Sequence, residues 1–178
     1  MNTYVAFFRG INVGGNNLLP MKELVVVLEN IGAGKVRTYI QSGNAVFESA
    51  ERNLVRLSRQ LSAEINKRRG FEPHVQILTL EALSKAIAEN PFPEAVIAPS
   101  SLHLGFLSSS PKSPNLEKLS ALRKDGERYL LAESVFYLHA PEGIGRSKLA
   151  ANSEKLLGVP MTDRNWNTVC KVMEIAGS

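Results

Sequence analysis

The chain has 178 residues, 44% of them hydrophobic, a single cysteine and a formal net charge of +4. A chain of this length buries roughly 70% of the surface its unfolded form exposes, so a packed core needs no disulfide or structural metal. Cys170 standing alone excludes an internal disulfide and any Cys-x-x-Cys metal or redox motif, which suits a reducing compartment. The apolar run before Arg9 is too short for a signal-peptide core, and no stretch approaches the ~20 apolar residues of a membrane span. The expectation is a soluble cytoplasmic protein, mildly basic, whose charge permits an anionic partner without requiring one.

Residues 3–8 are aromatic and β-branched and are predicted to form a first strand. That strand runs into Arg9-Gly10-Ile11-Asn12-Val13-Gly14-Gly15-Asn16-Asn17, a strand-to-helix turn in which glycine backbone can approach an anion ahead of a helix N-terminus. The alternative is that the glycines only relieve a crowded turn. Neither the Gly-x-Gly-x-x-Gly fingerprint nor the Walker lysine is present. Pro20 opens a helix whose Met21, Leu24, Val25, Leu28 and Ile31 recur at helical spacing.

Residues 36–41 and 45–48 read as strands about a Ser42-Gly43-Asn44 turn. A helix is predicted over about 51–67, with Leu54, Leu57, Leu61 and Ile65 on one face. Its other face carries Arg52, Arg56, Arg59, Lys67, Arg68 and Arg69, which reads as a solvated basic face because no aromatic side chains interleave to stack bases. A strand over 74–78 completes a βαββαβ order, that of a ferredoxin-like unit.

A helix over about 80–89 ends at Asn90-Pro91-Phe92-Pro93. The order then starts again, with a strand over 102–107, a helix over about 114–123, hairpin strands over 128–132 and 135–138, a helix over 148–157 and a last helix over 165–176. The fold class expected is α+β, two tandem ferredoxin-like subdomains packed together, 1–90 with a trailing helix and 91–178 with a C-terminal helix. In such a unit the first and second strands are parallel, so the loop after Arg9 and the turn at Gln41 leave from one sheet edge.

Four segments carry a resemblance. Arg9-Gly10-Ile11-Asn12-Val13-Gly14-Gly15, Thr38-Tyr39-Ile40-Gln41-Ser42-Gly43-Asn44, Gly145-Arg146-Ser147-Lys148-Leu149 and Thr162-Asp163-Arg164-Asn165-Trp166-Asn167-Thr168-Val169 are similar to the signature blocks of the bacterial family called domain of unknown function 1697. They occur in order across almost the whole chain. Asp163 departs from the pattern, since members usually carry Thr there, and a local contact is thereby in question. The resemblance implies two ferredoxin-like subdomains and implies no activity.

Gly143-Ile144-Gly145-Arg146-Ser147-Lys148 places two cations and a hydroxyl at a helix start. Cations there oppose the helix dipole by about 0.3–1 kcal/mol each. Either a bound anion reverses that sign, or Arg146 pairs with a carboxylate such as Glu142 or Asp163. Trp166 beside Arg164 reads as a packing anchor first and a stacking platform second. His74, His103 and His139 sit on separate predicted strands with no ligand at metal-binding spacing, and a satisfied structural role is favoured for each. Cys170 falls among Val169, Val172 and Met173, where a buried thiol is expected rather than a thiolate. No acid, base, nucleophile or metal site stands out, so whether the protein is an enzyme, and with what cofactor, is left open.

Three functions fit. The first is binding of a small phosphate- or carboxylate-bearing ligand by Arg9, Asn12, Gly14, Gly15, Gln41, Ser42, Asn44, Arg146, Lys148, Arg164, Asn165, Trp166 and Asn167. It requires several of these segments to converge on one cleft, because micromolar affinity needs about 8 kcal/mol. The second is nucleic-acid binding through the basic helix and a sheet. The third is a structural or interaction role for the signature blocks.

Overall fold

In the computed structural model, which describes residues 1–178, the first strand, β1 (Asn2–Arg9), is followed by α1 (Met21–Asn30), β2 (Gly34–Tyr39), β3 (Asn44–Ser49), α2 (Leu54–Arg69), β4 (His74–Thr79) and α3 (Leu80–Ala88). The glycine–proline punctuation determines these limits. Pro20 precedes α1 and supplies the carbonyl that accepts from Leu24 N. The basic helix starts three residues later than its charge pattern implied, because Asn53 caps it by accepting from Arg56 N at 3.0 Å, and Gly70 closes it in the left-handed conformation.

The four strands lie in the order β2-β3-β1-β4, every neighbouring pair antiparallel. Since β1 and β2 both oppose β3, they run parallel to each other and end at the same edge. Tyr4, Ala6 and Phe8 of β1, with Phe47, Val75 and Ile77 from its neighbours, face Leu24, Val27 and Leu28 of α1 and Leu57, Leu61 and Ile65 of α2. Each such side chain contributes about 1.5–3 kcal/mol on full burial, so this single layer of two helices on a sheet is the main support of the first signature loops.

The second half repeats the order with β5 (Leu102–Leu107), α4 (Leu116–Leu122), β6 (Arg128–Leu131), β7 (Val135–His139), α5 (Lys148–Leu157), β8 (Met161–Asn165) and α6 (Trp166–Ala176). Its strands lie in the order β6-β7-β5-β8, again all antiparallel. Leu107, Phe136 and Leu138 pack with Leu119 of α4 and Leu149 and Leu157 of α5. The chain divides into two compact units, Met1–Lys85 with Lys171–Ser178, and Ala86–Cys170.

One strand escaped the sequence reading. β8 is Met-Thr-Asp-Arg-Asn, a polar run with one fully buried residue, Thr162, and no alternation of apolar and polar side chains to announce it. It forms because β5 offers it a ladder from His103↔Asn165 to Leu107↔Met161, and main-chain hydrogen bonding at a sheet edge needs no particular side chain.

Candidate functional site

In the first unit the loop after β1 is tied down by Asn12. Its Oδ1 accepts from Leu19 N at 2.8 Å, and its Nδ2 donates to Leu19 O at 2.9 Å and to Gln41 O at 2.7 Å. The residue is held at φ +54, a left-handed conformation that asparagine tolerates better than most side chains. The parallel run of β1 and β2 is what brings Asn12 and Gln41 together. On the turn itself, Asn44 is fully buried and donates to Tyr39 O at 2.9 Å and to Ser42 Oγ at 3.3 Å. Phe8 N donates to Gly43 O at 2.8 Å, which locks the turn onto β1.

Around these ties, Arg9, Gly14, Gly15, Gln41 and Ser42 are exposed. Asn12 and Asn44 thus shape the loops, and Arg9, Gln41 and the glycine backbone form their outer surface. The exposed tip of the loop also carries Val13 and Leu18.

In the second unit, a short 3-10 turn over Ile144–Arg146 leads into Ser147, whose Oγ accepts from Ala150 N at 3.0 Å and caps α5. Arg146 and Lys148 flank that cap, both exposed. Neither carboxylate considered as a partner for Arg146 reaches it: Glu142 lies 4.0 Å from Lys124 Nζ, and Asp163 is taken by His103. Two cations without an ion-pair partner therefore stand at a helix N-terminus, an electrostatically unfavourable arrangement whose sign a bound anion would reverse.

At the junction of β8 and α6, Asn165 Oδ1 accepts from Thr168 N at 2.9 Å and caps the last helix. Trp166 is half-buried in the first turn and Asn167 is exposed. The Arg164 guanidinium donates to Asp163 O at 2.8 Å, and burial pushes its pKa down to about 10. Cys170 is partly buried, and burial raises its thiol pKa, away from thiolate chemistry.

Sequence reasoning missed one pair. His103 is buried, with Nδ1 2.7 Å from Asp163 Oδ2 and Nε2 3.0 Å from Ser100 O. A carboxylate and a carbonyl both only accept, so the ring satisfies them together as imidazolium. Burial alone would push the imidazole pKa down; the Asp163 hydrogen bond and charge, with the Ser100 carbonyl, outweigh it and leave a net rise. The two residues are separated by 60 positions, so no local spacing could have signalled the contact. It also fixes what the unusual Asp163 does.

His139 has a different setting. Arg128 donates to its Nδ1 at 3.1 Å, lies 4.7 Å from the Phe92 ring centre, and also pairs with Glu94. Burial, with the Arg128 charge, holds His139 below its usual pKa. No group of three His, Cys, Asp or Glu side chains is placed to share a metal ion, and no helix is long and apolar enough to cross a membrane.

The family model described as Protein of unknown function (DUF1697) matches residues 1–137, which include the first two of the four blocks. The chain belongs to this family. A solved structure of the conserved bacterial protein SP0830 from Streptococcus pneumoniae shares 24% identity, covers 98% of both chains and superposes with a TM-score of 0.70. That likeness speaks for the fold. No curated protein matches at a significant level. In this DUF1697 member, Ile144 and Asp163, one beside the third signature block and one within the fourth, line the same hollow of the second unit.

Proposed function

We infer that the protein binds a small anionic ligand, one bearing a phosphate or carboxylate, and that the start of α5 is the anion-holding element. The observation that carries this reading is the pair Arg146 and Lys148, exposed and without a carboxylate partner at a helix N-terminus. Helix N-termini with free cations bind anions because the dipole, the unsatisfied N–H groups and the side-chain charges act with the same sign. Gly143 and Gly145 leave that approach open, since a Cβ at either would meet nothing within 4 Å. In the first unit, Arg9, Gln41, Ser42 and the exposed Gly14–Gly15 backbone offer a second polar surface of similar composition. Arg164, Trp166 and Asn167 remain candidate contacts of the same ligand class.

The ferredoxin-like assignment belongs to this reading, supported by the βαββαβ order and the matching strand orders of the two sheets. A cytoplasmic location is inferred with it, from the lone cysteine.

The test is a thermal-shift screen of inorganic phosphate, nucleotides, sugar phosphates and dicarboxylates against the whole chain, repeated with Arg146→Ala/Lys148→Ala. A concentration-dependent rise in melting temperature that the double variant abolishes is expected. A flat response to every anion rejects the reading.

The structural role has its own support in Asn12, whose carboxamide is committed to Leu19 and Gln41. Nucleic-acid binding through α2 has less, because Arg56, Arg68 and Arg69 pair with Glu51, Glu64 and Glu23. Half of the six cations on and beside that helix are therefore already neutralised.

A further inference from the structure

Protein interiors leave few voids larger than a water molecule. Between α5 and the sheet of the second unit, however, lies a hollow of about 210 Å³. A water occupies ~30 Å³ of the liquid, and a purely apolar cavity of ~150 Å³ is known to take up benzene, so this space is of ring size.

The register of the strands explains its floor. Gly105 on β5 lies directly between Phe136 on β7 and Asp163 on β8, so the middle strand sends no side chain into the space. Met161 lies over this bare backbone, where a Cβ at Gly105 would stand 2.8 Å from its Cγ, and so forms part of the wall instead of being pushed into the hollow. Above the sheet, α5 contributes Ala150, Ala151 and Ser153 to the wall rather than large side chains. Phe136, Leu138, Ile144 and Met161 make the rest apolar. Asp163 is the one charged residue of the wall and is partly exposed, and Ala151 is exposed, so the hollow opens to solvent beside them.

Asp163 engages His103 through Oδ2, which leaves Oδ1 as an acceptor. Because the imidazolium balances the carboxylate, the site holds no net charge for a cation, and a second carboxylate would face Asp163 at close range. We propose that this hollow is a binding site for a small aromatic ring carrying one neutral hydroxyl donor, a phenol, with the ring against Phe136, Leu138 and Met161 and the hydroxyl on Asp163 Oδ1. Neither Arg146 nor Lys148 lines the hollow, so this proposal rests on other residues than the anion-holding pair.

The test is calorimetric titration of the whole chain with phenol, benzene and benzoate, together with methyl and ring NMR shifts of Met161 and Phe136. Saturable phenol binding is expected, with shifts at both residues, about tenfold tighter than benzene because a hydrogen bond to a charged acceptor is added, and with benzoate shifting these two residues least, whatever heat it gives at Arg146 and Lys148. Ala150→Leu should fill the hollow and remove phenol binding; Ser153→Leu is the second filler, and circular dichroism verifies that each variant is folded. Three results overturn the proposal: no saturable phenol shift in the wild-type protein, benzene bound as tightly as phenol, or phenol bound equally by a folded filled variant. The wild-type titrations decide the matter even if neither variant folds.

Discussion

Asn12 Nδ2 donates to Gln41 O at 2.7 Å across 29 positions of sequence, so the loop after β1 and the turn after β2 are one hydrogen-bonded unit. The same side chain satisfies Leu19 on both its N–H and its carbonyl. Removing it in Asn12→Ala frees three hydrogen bonds at about 0.5–1.5 kcal/mol each and places alanine at a positive φ. A loss of about 2–4 kcal/mol in urea unfolding is expected. Asn12→Gly relieves the backbone and keeps the hydrogen-bond loss, so it should fall between the two; a glycine variant as stable as wild type would show that the carboxamide contributes nothing.

Gly43 is the closest approach in the same region. At φ +85, an added Cβ would lie 2.9 Å from both Phe8 Cβ and Ile11 Cγ1. Gly43→Ala should therefore cost the left-handed penalty of about 1–2 kcal/mol plus overpacking of about 1–3 kcal/mol. Trimming the neighbour tests the split: Ile11→Val combined with Gly43→Ala should recover part of the overpacking in a double-mutant cycle. Strict additivity of the two losses would place the whole cost in the backbone.

The His103–Asp163 pair makes stability depend on pH. A histidine whose folded pKa lies above its unfolded value near 6.5 binds its proton more tightly when folded. Its contribution is complete below about pH 6.5 and is lost as pH rises through the folded pKa. Wild-type stability should accordingly decline above neutrality relative to His103→Gln, and the His103 ring proton resonance should titrate above the usual imidazole range. Asp163→Asn should bring that titration down. An imidazole titrating at or below its ordinary value in the wild-type protein would contradict the pairing.

Charge at the start of α5 gives a prediction of opposite signs. Without ligand, Lys148→Ala removes a cation from the first helical position and should stabilise the protein by about 0.3–1 kcal/mol at low salt. With a bound anion present, the same change should lower affinity. A variant that is destabilised in the absence of any anion would mean that Lys148 has a favourable partner in the folded chain. Raising the salt concentration should shrink the ligand-free effect, because both charges are exposed.

Most of the elements are legible in the sequence. Leu102–Leu107 and Lys148–Leu157 match their expected bounds, because a continuous apolar run between turn residues, and a helical stripe between Ser147 and Gly158, are local signals that tertiary contacts reinforce. The meeting of the first two signature loops also followed from strand order alone, since parallel strands of one sheet end on one side. β8 did not follow, because an edge strand held by its neighbour's backbone carries no pattern of its own.

Side-chain partnership was the other thing that only tertiary structure decided. The helix start marked out Arg146 and offered it Glu142 or Asp163 as a partner, while the family resemblance marked out Asp163 as a departure from the pattern. Folding instead gave Asp163 to His103, 60 positions away, because β5 and β8 pair and put both side chains on one face. It also left a hollow beside them, walled by Phe136, Met161 and Asp163. Periodicity is a property of neighbours along the chain, whereas charge pairing and empty volume are properties of neighbours in space.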